Sequence, residues 1–270
     1  MKKNKLVFVS PRDTSFISIE RDILQQKYQL IENTYDWTKK KLVPIYLLHQ
    51  FFTMLFTIPF SKGVLVSFGG YWALFPIMIA NFFKKPSYIV LHGTDCAYFP
   101  QISYGILGIK NIRKFCELSY QKVSKILPVS ESLVYTENTY FDQNQVIKQG
   151  YKHFFPSIQT PYEVIYNGID LSKWGQLPNV QKEKNTFVTV FSEGQFTLKG
   201  GPIIMALAEK FPMYQFYFVG ILENEHNPKN LKNVHFLGRK TPIELRIIYS
   251  KATYYFQLSI SEGFGCALCE

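Results

Sequence analysis

The feature that most limits the possible folds is a rhythm. Short, continuous runs of Val, Ile, Leu and Tyr alternate with longer amphipathic stretches. The runs KLVFVS (5–10), GVLVSF (63–68), SYIVLHG (87–93), KILPVS (125–130) and EVIYNG (163–168) read as strands. They do not alternate polar with apolar, as half-solvated strands do, so they fit parallel strands covered on both faces. Helices are expected between them, near 16–29, 41–57, 71–83, 109–124 and 131–140. A β-α-β rhythm of this kind implies a doubly wound sheet.

The rhythm pauses at DLSKWGQLPNVQKEKN (170–185), a polar stretch with Gly175 and Pro178 that reads as a linker. A second series follows. Strands are expected at 187–191, 215–220, 234–238 and 253–259, and helices near 199–211 and 241–250. Thr241, Pro242 and Glu244 form a capping-box signature at the start of the last helix. The fold class is therefore α/β with two doubly wound, Rossmann-like domains, 1–170 and 186–270, joined by a linker at 171–185. The second domain offers four strands where five or six are usual, so it is expected to be incomplete.

Charge and cysteine content narrow the function classes. The net charge is +10, with 19 basic against 12 acidic residues in 1–170 and 11 against 8 in 171–270. The excess suits an anionic partner or a merely soluble basic surface. The basic residues are scattered and match no nucleic-acid-binding motif, so no nucleic acid is expected. Four cysteines are too few for a disulfide scaffold, and Cys266-x-x-Cys269 lacks a second pair to complete a zinc site. The N-terminus starts basic, but its apolar run from Leu6 to Val9 is too short for a signal peptide. The expected location is cytoplasmic. KLVPIYLLHQFFTMLFTIPF (41–60) follows Lys39, Lys40 and Lys41. Its central His49 and Gln50, with Pro44 and Pro59, speak against a spanning helix. Burial against the first sheet and a position in the membrane surface, with lysines on phosphates, both remain open.

Two stretches carry candidate chemistry. FSEGQFTLKGG (191–201) is neither G-x-G-x-x-G nor a P-loop. It still places Lys199, before Gly200, at a helix start where amides and dipole favour an anion. SISEGFGCALCE (259–270) has Gly263 and Gly265, which permit close backbone approach, between Glu262 and Glu270. On an ideal helix eight residues separate those carboxylates by roughly 12 Å along the axis and about 80° around it. That suits the two ends of one extended ligand better than an acid/base pair. Gly69 and Gly70 in SFGGYW read as a ligand approach or as a plain turn.

Together these motifs resemble the family 4 glycosyltransferases of the GT-B fold, retaining enzymes that use nucleotide sugars. EGFGCALCE is similar to that family's Glu, seven residues, Glu motif. LSISEGFG is similar to its Pro-Ser-x-x-Glu-Gly-Phe-Gly stretch, with Leu258 in the proline position. VIYNGID (164–170), LPVSESL (127–133), LHGTD (91–95) and LKGG (198–201) resemble further family motifs, in the right order. The resemblance implies that Lys199 neutralises the donor diphosphate, Glu262 faces the transferred sugar and Glu270 holds the ribose. It also implies that Phe264, Gly265 and Gly200 meet the donor and that His92 lies near the sugar across a cleft. Where the family has an Arg before Lys-Gly, this chain has Glu193, Gly194 and Gln195, which leaves Arg239 as a substitute. No Asp-x-Asp triplet occurs, so no metal or other cofactor is expected, and the nucleotide sugar is a substrate. Partners implied are that donor and a glycan or lipid-linked acceptor of the cell envelope, with peripheral membrane contact through 39–60. The motif's last residue is also the chain's last, so a truncated, weakly active chain is expected. A nucleotide-sugar epimerase and a non-catalytic membrane- or partner-binding remnant are the alternatives. The missing G-x-G-x-x-G speaks against a nicotinamide enzyme.

Overall fold

The computed structural model describes residues 3–140, 143–175, 177–223 and 226–270. The chain divides into two compact units, Met1–Gly168 and Ile169–Glu270.

The first unit is built on β1 (Asn4–Ser10), α1 (Ser15–Lys27), β2 (Tyr28–Thr34), α2 (Val43–Thr57), β3 (Val64–Ser67), α3 (Tyr71–Phe82), β4 (Ser87–Leu91), α4 (Lys110–Lys122) and β5 (Lys125–Pro128). Its five strands are parallel, in the order β2-β1-β3-β4-β5. Val7, Phe8 and Val9 are all fully buried, as a strand covered on both faces requires. Thr14 caps α1 by accepting the Ile17 N–H. The sequence of strands reverses direction across the sheet between β1 and β3, which makes their carboxyl ends a topological switch point.

Three expectations for this unit need correction. β2 was not anticipated. It is an edge strand whose side chains are mostly half-buried or exposed, so YQLIENT lacks the continuous apolar signature. The helix expected over 131–140 is instead a turn at Glu131–Leu133 and then β6 (Thr136–Asn138), antiparallel to β7 (Ile147–Gln149). A four-residue helix, α5 (Tyr151–Phe154), follows. The run at 163–168 is not a regular strand, although it lies along β5. Ile126 N–H donates to Pro161, Glu163 N–H to Ile126 and Ile165 N–H to Pro128. Ile165 and Tyr166 remain exposed, so the segment lacks the burial of the covered strands.

Helix α2 is covered on one face only. Gln50, Met54 and Ile58 are buried, while Ile45, Leu48, Phe52 and Phe56 are exposed. Gln50 turns inward, where its Nε2 donates to Asn33 Oδ1 (2.8 Å) and to the Trp72 carbonyl (3.2 Å).

The second unit contains α6 (Leu171–Trp174), β8 (Glu183–Val190), α7 (Gly201–Lys210), β9 (Gln215–Val219), β10 (Val234–Phe236), α8 (Pro242–Lys251), β11 (Ala252–Tyr255) and α9 (Cys266–Cys269). The polar stretch 171–185 is therefore partly ordered. Arg246 Nε donates to the Gly175 carbonyl (2.6 Å), and Trp174 packs on Tyr249. The sheet is parallel, in the order β10-β9-β8-β11. Ile204 and Ala208 of α7 pack with Phe191, Phe216 and Phe218 on one face. Leu245, Ile248 and Tyr249 of α8 cover Val188 and Val219 on the other. The capping box is formed: Glu244 N–H donates to Thr241 Oγ1, and Thr241 N–H to Glu244 Oε2. Here the chain order reverses between β8 and β11, a second switch point.

Candidate active site

In the second unit, loops leave the carboxyl ends of β8 and β11 side by side and pack on each other. Ile260 N–H donates to the Leu198 carbonyl (2.8 Å). Gly200, at φ +76°, lies so close to Leu258 that a Cβ would meet its carbonyl oxygen at 2.3 Å. That close approach brings together two residues 63 apart in sequence: Lys199 Nζ donates to Glu262 Oε1 at 2.5 Å. The same oxygen accepts from Ser259 Oγ (2.5 Å) and from Gln257 Nε2. Gln257 Oε1 in turn accepts from the Tyr255 hydroxyl (2.8 Å). An ammonium, a carboxylate and their polar supports thus form one chain at the switch point, where ligands bind in open α/β sheets.

One expectation about this site changes. The amides at the start of α7 are not free for an anion. Lys199, Gly200 and Gly201 N–H groups donate to Gln195, Thr197 and Phe196 carbonyls, Ile203 donates to Gly200, and Pro202 has none to offer. Positive charge at this loop comes from the Lys199 side chain.

Glu270 lies half-buried near Tyr249 and Tyr255, and burial raises its carboxyl above the usual range. Burial, then the charges of Glu262 and Glu270, raise the Tyr255 hydroxyl. Gly265 takes φ +79°, and Phe264 beside it is half-buried. Arg239 is exposed and has no ion pair among the described residues. It follows β10, which β9 separates from β8, about 10 Å across the sheet. Glu193 accepts from the Leu222 N–H (3.2 Å) and lies 3.5 Å from His226 Nε2. A pocket of about 980 Å³ lies beside it but is lined by neither Lys199 nor Glu262.

In the first unit, His92 follows β4 and is turned inward. Its ring packs between Phe16 and Phe68, and its side chain is 3% exposed. Nε2 lies 2.9 Å from Ser67 Oγ and 3.2 Å from Glu20 Oε1, and Ser67 Oγ donates to Glu20 Oε2 (3.1 Å). Ser67 thus spends its proton on Glu20, which assigns the Nε2–H tautomer to His92. Nδ1 is then a buried acceptor with no partner among the described residues. Asp95 staples the neighbouring loops. Its buried carboxylate accepts from the Gly69, His92 and Gly93 amides, and desolvation raises its pKa against those bonds. Gly69 and Gly70 are turn residues packed against side chains. A Cβ on Gly69 would meet the Tyr120 hydroxyl at 2.1 Å, and one on Gly70 the Trp72 ring.

A pocket of about 620 Å³ opens at the carboxyl ends of β1, β2 and β3. Tyr35, Trp37 and Trp72 wall it, Asp36 and Thr38 add polar groups, and Arg12 stands at its edge without an ion pair among the described residues. Sequence reasoning missed this pocket, as it missed Gln257 and Glu20, whereas Ser259 carried a signal in LSISEGFG and Asp95 in LHGTD.

No protein-family model matches the chain, and no curated protein matches it. Solved structures do. A crystal structure of TarM aligns at TM-score 0.56 and 14% identity, over 82% of this chain and 41% of that one. S. aureus TarM bound to Fondaparinux, alpha-GlcNAc-glycerol and UDP gives 0.56 and 13%, over 81% and 41%. The chain thus spans about two fifths of TarM's length. A trehalose-6-phosphate synthase aligns at 0.56 and 10%, over 97% and 79%. The UDP-GlcNAc 2-epimerase of Methanocaldococcus jannaschii gives 0.53 and 10%, over 94% and 78%. At these identities the likeness establishes architecture: the chain has the Rossmann-like α/β fold of the GT-B proteins.

Proposed function

We propose that the chain belongs to a glycosyltransferase that moves a sugar from a nucleoside-diphosphate sugar to a glycan or lipid-linked acceptor, with retention and without a divalent ion. The carrying observation is the Lys199–Glu262 pair at the β8/β11 switch point, with Glu270 following. In this reading the bond from anomeric carbon to diphosphate oxygen breaks, negative charge gathers on the leaving diphosphate and the sugar becomes cation-like, while an acceptor hydroxyl oxygen bonds the anomeric carbon on the same face and its proton passes to the departing diphosphate. The Lys199 ammonium swings from Glu262 to the diphosphate. Ser259 and Gln257 keep the Glu262 carboxylate in place, now open to sugar hydroxyls and to the developing positive charge. Glu270 accepts from ribose hydroxyls. The aromatic pocket of the first unit takes the acceptor, since Trp and Tyr faces suit sugar rings and Asp36 suits their hydroxyls. A cell-envelope glycan and a cytoplasmic site of action complete the proposal.

Release of nucleoside diphosphate from a panel of nucleotide sugars tests it. Removing one preorganised contact to a developing charge typically costs about 3–4 kcal/mol, or 10²–10³ in rate. Lys199→Ala is expected to lower turnover by that factor, and an unchanged turnover number would refute the assignment. The likeness to 2-epimerases over nearly the whole chain favours one other reading, inversion within the nucleotide sugar. An isomerised but intact nucleotide sugar among the products would select it.

A further inference from the structure

Helix α2 is apolar on two opposite faces. Gln50, Met54 and Ile58 form the buried face. Ile45, Leu48, Phe52 and Phe56 are 61%, 61%, 51% and 69% exposed. At about 100° per residue these four fall within an arc of roughly 80°, nearly opposite the buried set. Phe60, just past the helix, is also exposed. The turn Ile58–Phe60 packs on α3, whose Met78 and Phe82 are exposed one helical turn apart. A helix facing water should carry polar residues there, and a contiguous apolar patch marks an interaction site.

The charges around the patch identify the partner. No Asp or Glu occurs between Asp36 and Asp95, whereas Lys39, Lys40, Lys41, Lys62, Lys84 and Lys85 do. Lys39 pairs with Asp36. The other five have no ion pair among the described residues. Lys40 and Lys41 enter α2, Lys62 follows Phe60, and Lys84 and Lys85 follow Phe82. A second copy would bring the same lysines against these in a two-fold interface, where like charges repel. The helical run Lys40–Phe60 is 21 residues long, holds an 18-residue stretch of mean hydropathy 1.4 and is long and apolar enough to cross a bilayer by length and composition. Yet Gln50, in the middle of that run, is buried and bonded to Asn33 and the Trp72 carbonyl of the first unit, which ties one face of the helix to the protein.

We propose that this face is a docking surface for an anionic phospholipid bilayer, its phenylalanines entering the acyl boundary and its lysines resting on lipid phosphates. The surface lies wholly within the first unit and does not depend on the glycosyltransferase reading.

Co-sedimentation of the 270-residue chain with vesicles of phosphatidylcholine, alone or mixed with phosphatidylglycerol, tests the proposal. Binding is expected for the mixed vesicles only, weakening as salt rises. Each lysine removed from the surface should cost about five-fold, so Lys40→Glu, Lys41→Glu and Lys84→Glu together should cost at least about a hundred-fold. Leu48→Gln, Phe52→Gln and Phe56→Gln together should abolish binding. Phe52→Trp on the otherwise native surface should be quenched by brominated lipid, which keeps the test valid if the multiple variants unfold. Absent quenching, equal binding to neutral vesicles, or retained binding by the glutamine variant would overturn the proposal. So would a dimer in solution that the glutamine variant converts to monomer, or capture of the face by an acidic protein in preference to anionic vesicles.

Discussion

Replacing Glu262 by Gln should make the chain bind nucleoside diphosphate more tightly while abolishing transfer. Lys199 Nζ and Glu262 Oε1 are 2.5 Å apart, with side chains 18% and 27% exposed. Unit charges at 4 Å attract by about 4 kcal/mol at an effective dielectric of 20 and about 1 kcal/mol in bulk water. Ordering of the side chains and screening reduce this, since exposed pairs measure about 0–1 kcal/mol net. An intermediate value of about 1–2 kcal/mol is appropriate to a pair mostly shielded from solvent. A diphosphate must overcome that attraction to recruit the ammonium, and it also meets the carboxylate's own charge. Glu262→Gln removes both obstacles, so affinity should rise roughly five- to thirty-fold. Transfer should fall, because a neutral amide does not stabilise a cation-like sugar. Titration calorimetry with UDP, GDP and ADP at fixed ionic strength reads the first effect. Lys199→Ala in the same background should lose most of the gain, since the two side chains are coupled. Unchanged or weaker binding by Glu262→Gln would refute the reasoning, and would mean that the carboxylate positions the ammonium instead of competing for it.

Gly200→Ala should cost about 2–4 kcal/mol, combining left-handed backbone strain with overpacking against the Leu258 carbonyl. Urea denaturation measures it, and wild-type stability would contradict the close approach. Gly69→Ala should cost about 1–3 kcal/mol through the Tyr120 hydroxyl, and Tyr120→Phe should recover part of that in the double variant. No recovery would place the strain elsewhere. Burial raises the Glu270 carboxyl, so the folded chain holds its proton where the unfolded chain has released it. Its contribution therefore favours folding at acid pH and is lost as pH rises through the folded value. Glu270→Gln should gain stability relative to wild type from below the usual glutamate range to neutrality, and a constant difference in urea midpoint would count against it.

Much of this was legible in sequence because burial leaves a compositional trace. Strands covered on both faces read as continuous apolar runs, aliphatic-rich in β1, β3 and β4 and aromatic in β9, and these were found that way. Thr241 and Glu244 could be paired because a capping box is local. Failures had local causes too. β2 sits at a sheet edge and is only partly covered, so its polar residues hid it. The stretch 131–140 looked helical, but Val134 and Thr136 are β-branched, and Ser130 bonds Ser132 in a turn. At the site, Lys199, Glu262 and, as the serine of its motif, Ser259 were reached through resemblance, whereas Gln257 and Glu20 were not. Gln257 bonds Glu262 from just outside the matched motif, and Glu20 meets Ser67 across 47 residues, a contact that spacing along the chain does not encode.

The glycines illustrate how the right residues can be found for an incomplete reason. A lysine and glycines at a helix start suggested amides waiting for phosphate. In the structure those amides are already bonded to loop carbonyls, and Gly200 exists so that one carboxyl-edge loop can lie directly on another. The consequence is electrostatic. Without spare amides at α7, the loop's affinity for an anion rests on a single mobile ammonium that is already held by a carboxylate. Backbone dipoles are fixed, but a side-chain cation is movable, so anion binding and release of Glu262 become one event. Under the proposed function, such a site keeps the Glu262 carboxylate neutralised until a diphosphate arrives, and exposes it to the sugar only then.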